Sequence, residues 1–141
     1  MTAKFFADTN VLLYAASKSA DDQPKKQAAR ALLAGQDIGL SAQVLQEFYA
    51  VAITKKRLQM THDEAMAVLQ SLAAYPVVPI TRELVMEAAE LRQRYQISYW
   101  DAAIVAAAKQ MGCSTVYSED LNAGQEYDSV TVVNPFAGAT P

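Results

Sequence analysis

The sequence contains only one cysteine and one histidine in 141 residues. Cys113 therefore has no partner for an intramolecular disulfide, which is typical of proteins from a reducing compartment. Because His62 is the single histidine, a histidine-based zinc site and a Ser-His-Asp triad both lack support. The sequence also lacks a glycine-rich phosphate-binding loop. These absences argue against several common classes of enzyme.

Long apolar runs and a strong net charge are missing as well. No apolar run reaches the ~18 residues of a transmembrane helix, and the N-terminus lacks the apolar segment of a signal peptide. We therefore expect a cytoplasmic protein with no membrane contact. The net charge of -3 provides no overall basic field for a polyanion, so nucleic-acid binding would depend on a local basic edge.

The remaining composition predicts one globular domain. Hydrophobic residues make up 52% and charged residues 19% of the chain, and this length is sufficient for a substantial core. Short apolar segments alternate with amphipathic ones, which predicts an α/β fold with a largely parallel sheet. We expect a single domain over 1–141, with about 135–141 as a tail. The predicted strands cover 4–7, 37–40, 76–80, 113–117 and 130–133, and the predicted helices cover 11–15, 24–34, 42–55, 62–75, 82–95 and 102–111.

Four acidic residues lie near the ends of these predicted elements. Asp8 and Asp120 follow two strands, whereas Glu47 and Asp101 lie early in two apolar helices. Carboxyl ends of parallel strands share one edge of a sheet with the N-termini of the crossover helices, and ligands bind at that edge. We therefore expect the four carboxylates to meet there.

Carboxylates that lie close together need a positive partner, because like charges raise each other's pKa and burial penalises the charged form. A hard divalent cation with oxygen ligands supplies that charge, and Mg²⁺ is commonly held by a few carboxylates together with substrate phosphates. Such a cation polarises a phosphoryl oxygen and lowers the pKa of a bound water. The acidic residues thus predict metal-dependent phosphodiester hydrolysis.

Each acidic residue also has a structural interpretation. Asp8 and Asp101 are suited to helix capping, where a negative charge near the N-terminus contributes roughly 0.3–1 kcal/mol. Asp120 is suited to a turn, and Glu47 to the solvated flank of its helix. If these structural interpretations were the whole explanation, four separate coincidences would be needed. A shared site explains all four acidic residues at once.

The segments around these residues resemble the PIN-domain ribonucleases, and most of all the VapC-type toxins of type II toxin–antitoxin pairs. The resemblance follows the family's order along nearly the whole chain. Its matching segments are 6–12 (FADTNVL), 46–48 (QEF), 98–104 (SYWDAAI), 117–122 (YSEDLN) with Gly124, and 132–136 (VVNPF).

This resemblance implies a PIN-like three-layer α/β fold, in which helices flank a short, mostly parallel central sheet. It also implies an endoribonuclease that uses metal-activated water and leaves a 3′-hydroxyl and a 5′-phosphate. Such proteins commonly form homodimers and are silenced by a small antitoxin protein. The implied cofactor is Mg²⁺ or Mn²⁺.

The same resemblance implies roles for individual residues. Asp8 and Asp101 would be the main metal ligands, Asp120 would bind the metal directly or through water, and Glu47 would hold a metal-bound water or orient the nucleophile. The polar supporting residues would be Asn10 and Ser118. Glu119 precedes Asp120 directly and is a further supporting candidate.

Candidates for contact with RNA come from basic and aromatic residues. The first basic cluster is Lys55, Lys56 and Arg57, and a second consists of Lys25, Lys26 and Arg30. Clusters of this kind also occur as solvated helix ends. Tyr99 and Trp100 would either stack on bases or pack around the site.

Alternative functions remain open on the sequence alone. One is a PIN nuclease that acts in RNA processing or on DNA without an antitoxin. Another is a phosphoacceptor domain, because an aspartate after a strand also serves phosphoryl-aspartate chemistry, and a third is an inactive binding module.

Overall fold

A computed structural model describes residues 2–56 and 58–138. Within them, six α-helices flank one six-stranded sheet. The helices are α1 (Thr9–Ala16), α2 (Gln23–Gly35), α3 (Ala42–Thr54), α4 (His62–Ser71), α5 (Arg82–Tyr95) and α6 (Tyr99–Met111). The strands are β1 (Phe5–Ala7), β2 (Ile38–Ser41), β3 (Val77–Val78), β4 (Thr115–Tyr117), β5 (Glu126–Tyr127) and β6 (Val130–Val133). The predicted α/β class is confirmed.

The strand order is β3-β2-β1-β4-β6-β5, and only the β5–β6 pair is antiparallel. Strand β1 lies between β2 and β4, and Phe6 is in register with both Gly39 and Val116. From β1 the chain passes to β2 on one side, and β4 is added later on the other side. The carboxyl ends of β1 and β4 therefore flank a topological switch point, where open α/β sheets bind ligands.

Hydroxyl side chains begin four of the helices in the way that their sequences predict. Ser41, Thr61, Thr81 and Ser98 each accept a hydrogen bond from the backbone N–H three residues later. Thr61 and Glu64 form a complete capping box, in which the Glu64 carboxylate also accepts a hydrogen bond from the Thr61 N–H. Each cap satisfies backbone donors that the first turn leaves unpaired.

Helix α6 runs through the centre of the core. Residues 102–108 are all buried, and Gly112 ends the helix with a φ of 82° that favours glycine. The helix packs closely on β2, because a Cβ added to Gly39 would lie 3.0 Å from side-chain atoms of Met111. The first turn of this helix, which carries Asp101, is thereby fixed relative to the sheet.

Several predicted boundaries were wrong. Helix α4 ends at Ser71 rather than at 75, and the strand expected over 76–80 contains only Val77–Val78. Between the helices predicted over 11–15 and 24–34 lies a short 3₁₀ helix, Ala20–Asp22, which was not predicted. Strand β5 was not predicted, because a two-residue strand carries no readable periodicity.

The expected tail also needs correction. Phe136 is 4% exposed, and its ring meets the Tyr14 ring edge-on with the centroids 4.8 Å apart. Phe136 therefore anchors this segment to the domain, whereas Ala137 and Gly138 are exposed. Residues 139–141 of the expected tail lie outside the described part.

Across the described ranges, no helix is both long and apolar enough to cross a membrane. Cys113 is buried, and burial raises the pKa of its thiol to about 12. At neutral pH this thiol stays protonated, so Cys113 is a small buried residue of the core.

Candidate active site

Asp8 connects the carboxyl end of β1 to the N-terminus of α1. Its Oδ1 accepts a 2.7 Å hydrogen bond from the Thr9 N–H, and its Oδ2 accepts one of 2.7 Å from the Ser118 hydroxyl. Asp8 is the N-cap of α1 and is 6% exposed. The capping interpretation is thus correct, and it coexists with a position at the switch point of the sheet.

The pKa of Asp8 is raised to about 6, mainly because burial removes its carboxylate from water. The hydrogen bonds from Ser118 and Thr9 lower this pKa, whereas the neighbouring carboxylates of Asp120 and Glu47 raise it further. Three acidic side chains therefore act on one another at this edge.

Asn10 ties α1 to the loop after β4. Its Nδ2 donates a 3.1 Å hydrogen bond to Oδ2 of Asp120, and its Oδ1 accepts one of 3.3 Å from the Glu119 N–H. Both the carboxylate of Asp120 and the backbone beside it are therefore positioned by one buried amide.

Glu119 has different partners from those of Asp120. Its Oε1 accepts a 2.8 Å hydrogen bond from the Tyr14 hydroxyl, and its Oε2 forms a 2.5 Å ion pair with Lys25. The Asp120 carboxylate, in contrast, is exposed and meets the amide of Asn10. The two adjacent acids thus occupy distinct environments, and Glu119 is the one that is neutralised by a cation.

Glu47 is held from two sides. The Thr9 hydroxyl donates a 3.0 Å hydrogen bond to its Oε1, and the Gln43 amide donates to the same oxygen at 3.4 Å. Within the described ranges, Oε2 has no recorded hydrogen-bond partner. Glu47 therefore presents one oriented carboxylate oxygen beside the Asp8 network.

Asp101 lies in the first turn of α6 and is partly buried. Its backbone N–H donates to Ser98, but the described residues show no return bond from the carboxylate that would complete a capping box. Gln43 connects this end of α6 to α3, because its Nε2 also donates to the Trp100 carbonyl at 3.2 Å. The first turn of α6, which carries Asp101, therefore lies beside Gln43 and Glu47.

The oxygen atoms of these carboxylates are the type of ligand that a hard divalent cation prefers. Asp8, Glu47 and Asp120 supply carboxylate oxygens, and among the described residues no lysine or arginine pairs with any of them. Within the same residues, no three Asp, Glu, His or Cys side chains converge on a single ion-sized point. The carboxylates therefore surround a shared edge rather than a closed cage, which leaves room for water and phosphate ligands.

The basic candidates lie elsewhere or are already paired. Lys55 and Lys56 are exposed beyond the C-terminus of α3. Lys55 lies eight residues after Glu47, about 12 Å along the helix axis. Arg57 lies outside the described residues. In the second cluster, Lys25 pairs with Glu119 and the Nε of Arg30 donates to the Ala15 carbonyl.

Three residues join the site that sequence reasoning missed. Thr9 and Gln43 both donate hydrogen bonds to Glu47. Tyr14 donates a hydrogen bond to Glu119. Gln43 lies four residues before Glu47, so helical spacing alone could have found it. Thr9 and Tyr14 contact acids that are distant in sequence, and no local pattern indicates these pairs.

With this geometry established, comparison with known proteins identifies the family. The PIN domain family model matches residues 5–125. The chain belongs to the PIN domain family. The match includes Asp8, Glu47, Asp101 and Asp120 and all of the strands from β1 to β4.

Solved structures with this PIN fold include toxins and toxin–antitoxin complexes. VapC20 of Mycobacterium tuberculosis, described as a sarcin-ricin loop cleaving toxin, is 22% identical with a TM-score of 0.67, over 83% of this chain and 90% of that one. A toxin–antitoxin complex from Klebsiella pneumoniae is 22% identical with a TM-score of 0.66, over 94% and 98%. DNA-bound VapBC from Salmonella typhimurium is 17% identical with a TM-score of 0.65, over 94% and 97%.

No curated protein matches the chain in sequence. At these identities the solved structures show that this PIN domain shares the fold of VapC toxins. The substrates and partners of those proteins are properties of those proteins alone.

Proposed function

We propose that this PIN domain is a metal-dependent endoribonuclease that acts in the cytoplasm as the toxin of a toxin–antitoxin pair. One observation carries the proposal. Asp8 is buried at the switch point of a PIN fold, with Asp120 and Glu47 close enough to raise its pKa and, within the described ranges, no basic partner. A cation bound in this position would offset the cost of ionising the buried carboxylate.

Mg²⁺ or Mn²⁺ would be held mainly by Asp8 and Asp101, with Asp120 binding directly or through water. When bound, the cation would polarise a phosphoryl oxygen and lower the pKa of a water molecule. Glu47 would orient the attacking water. Hydrolysis would leave a 3′-hydroxyl and a 5′-phosphate.

The protein's own residues prepare these roles. The Ser118 hydroxyl donates to Asp8 and favours its ionised form. Thr9 and Gln43 both donate to Oε1 of Glu47, so Oε2 is the oxygen that would accept a hydrogen bond from water. Asn10 holds Asp120 through its carboxylate. Positioning of this kind contributes to catalysis because the reacting groups need no reorganisation.

RNA cleavage by purified variants tests the proposal. Asp8→Asn and Asp101→Asn should each abolish Mg²⁺- or Mn²⁺-dependent cleavage while the circular dichroism spectrum is retained. Asp63→Asn, at an exposed position in the first turn of α4, is the matched control and should cleave normally. Undiminished cleavage by either active-site variant would overturn the assignment. Single-stranded DNA serves as a second substrate, and a preference for it would favour the DNA nuclease alternative.

An antitoxin partner is proposed because similar folds occur in toxin–antitoxin complexes. Expression of this chain should arrest growth, and coexpression of a small protein encoded beside it should relieve the arrest. The Asp8→Asn variant should not arrest growth. Arrest by that variant would point to toxicity unrelated to cleavage.

A homodimer is proposed for the isolated protein. Light scattering coupled to size-exclusion chromatography should give twice the mass of the 15.3 kDa chain. A monomer mass at all concentrations tested would contradict this part of the proposal.

A further inference from the structure

Trp100 is a large apolar side chain on the surface, beside the acidic edge. It is 65% exposed, although it lies in the buried helix α6 and directly precedes Asp101. Packing around the site was one of its two expected roles, and this exposure excludes it. Ile80 and Val85 are also exposed (50% and 41%) and line the same cleft, so Trp100 is part of an apolar surface patch, and such patches mark binding sites.

The Trp100 ring is held by its neighbour. The Tyr99 ring meets it edge-on, with the centroids 5.1 Å apart and the planes at 83°. Tyr99 is itself half-buried against the core. An aromatic ring supported in this way loses little further entropy when a flat ligand stacks on it.

A cleft of ≈ 60 Å³ opens beside the indole, between α3, α5 and α6. Apolar side chains line one part of it, and the amides of Gln43 and Gln46 line another. Gln43 is occupied by Glu47 and the Trp100 carbonyl. Gln46 is exposed, and the described residues record no hydrogen bond for its amide. The flat Trp100 ring can stack on the face of a nucleobase, and the Gln46 amide can form hydrogen bonds with its polar edge.

The cleft is connected to the acidic residues by a direct chain of contacts. Gln43 Nε2 reaches the Trp100 carbonyl at 3.2 Å and Oε1 of Glu47 at 3.4 Å. Trp100 and Gln46 also directly precede Asp101 and Glu47 in sequence. A base on Trp100 would therefore belong to a nucleotide next to a phosphate at the carboxylates.

We propose that Trp100 and Gln46 form a nucleobase-binding subsite for single-stranded RNA. Trp100 stacks on the face of a base that flanks the scissile phosphate, and the Gln46 amide bonds to the polar edge of that base. The subsite rests on the proposed nuclease function and adds to it two residues that would hold an unpaired base beside the scissile phosphate. Stacking tolerates every base, so any base preference comes from Gln46.

Trp100 is the only tryptophan in the chain, so intrinsic fluorescence reports on this subsite alone. The Asp8→Asn variant, which should bind RNA without cutting it, is titrated with oligoribonucleotides of about eight nucleotides, within the range of single-strand binding sites. Homopolymers of A, C and U should quench the emission. An abasic oligonucleotide of the same length is the control and should leave the emission unchanged. Binding of RNA without quenching would overturn the proposal.

Cleavage kinetics provide a second readout that separates the subsite from the nuclease. Trp100→Ala should raise KM by about five-fold or more, as expected for the loss of one stacked base. Its kcat should change by less than about two-fold, because the carboxylates are retained. Trp100→Phe should restore most of the affinity. Met86→Ala is the matched control, since Met86 is an exposed apolar residue of α5 (57%) outside the cleft.

Each outcome decides between distinct hypotheses. An unchanged KM for Trp100→Ala in an active enzyme overturns the subsite and leaves the nuclease intact. A Gln46→Ala variant that keeps the same relative preference among A, C and U overturns the role of the amide. If the Trp100 emission shifts on protein dilution and does not respond to RNA, the indole lies between two copies of the chain and the subsite is wrong. Absence of RNA cleavage by the wild-type protein instead contradicts the proposed function.

Discussion

The Ser118 hydroxyl donates a 2.7 Å hydrogen bond to Oδ2 of Asp8 and thereby joins the carboxyl ends of β4 and β1. Oγ of Ser118 also accepts hydrogen bonds from the backbone N–H groups of Asp120 and Leu121, at 3.1 and 3.2 Å. A hydroxyl has one donor and two acceptor positions, and Ser118 uses all three. One side chain thus positions both Asp8 and the loop that carries Asp120.

Ser118→Ala should therefore destabilise the fold and reduce the activity. The substitution leaves Oδ2 of Asp8 without a donor and two backbone N–H groups without their acceptor, in a fully buried position. We expect a loss of about 1–3 kcal/mol in the free energy of unfolding. Denaturant titration measures it, and Ser71→Ala is the control because the Ser71 hydroxyl is exposed. Equal losses for the two variants would contradict the proposed importance of the Ser118 bonds.

Asp8 should make the metal-free protein less stable as the pH rises. Its folded-state pKa of about 6 lies above the ordinary aspartate pKa of 3.8. The protonated carboxyl is favoured in the folded state, so this contribution is fully present below about pH 4 and is lost as the pH rises through 6. The loss amounts to at most about 3 kcal/mol, from 1.36 kcal/mol per pKa unit.

Asp8→Asn should remove this pH dependence. An asparagine retains an N-cap oxygen for the Thr9 N–H, and the variant should be more stable than the wild-type protein at pH 7 in the presence of a chelator. Added Mn²⁺ should stabilise the wild-type protein and leave the variant unchanged. Thermal denaturation with and without Mn²⁺ checks both statements. A less stable variant under chelating conditions would show that burial does not destabilise the Asp8 carboxylate.

A second charged cluster lies away from the site and should stabilise the fold at neutral pH. Asp128 accepts hydrogen bonds from Lys109, Tyr95 and Arg94 at 2.7–2.9 Å. Lys109 and these other donors hold the pKa of the Asp128 carboxyl well below its usual range. This contribution is present above about pH 4 and is lost as the pH falls through the folded-state pKa.

Asp128→Asn tests this cluster. Asp128 has a φ of 55°, a backbone conformation that asparagine also tolerates, so the substitution removes the charge without straining the turn. We expect a loss of about 2 kcal/mol at pH 7, and the difference from wild type should shrink in acid. Unfolding free energies measured from neutral to acid pH provide the test, with the exposed Asp21→Asn as the control. A difference that is constant across this range would rule out titration of Asp128 as its cause.

Phe136 should behave as a core residue despite its place near the C-terminus. It is almost fully buried against Tyr14, and removal of a buried phenylalanine side chain costs about 3–5 kcal/mol. Phe136→Ala should lower the unfolding free energy by an amount near this range. Val133→Ala, at a position that is 41% exposed, should have a small effect. A small effect of Phe136→Ala would mean that the last turn packs only loosely.

The elements that the sequence predicts well are those set by local chemistry. Ser41, Thr61, Thr81 and Ser98 are caps because a hydroxyl can reach a backbone N–H three residues later, and this interaction needs no distant partner. The convergence of Asp8 and Asp120 also follows from the sequence, since two parallel strands place their carboxyl ends at one edge. Family motifs supplied the roles of the acids.

What the sequence did not predict depends on contacts between distant segments. Phe136 resembles a tail residue until Tyr14 is brought against it, and the pairing of Glu119 with Lys25 joins α2 to the loop after β4. The sequence left open whether Trp100 stacks on a base or packs around the site, because no local pattern determines how far an aromatic side chain at the start of a helix is exposed. Its environment is decided by the orientation of the first turn of α6 relative to α3 and α5.

The bond between Asp8 and Ser118 spans 110 residues, which affects the order in which the protein matures during synthesis. A nascent chain that has not yet reached β4 already contains Asp8, Glu47 and Asp101 but has neither Ser118 nor Asp120. Strand β6, which flanks β4, is made later still. The carboxylate cluster is therefore incomplete until synthesis has passed Asp120, and the sheet that supports it is incomplete until β6 has been made.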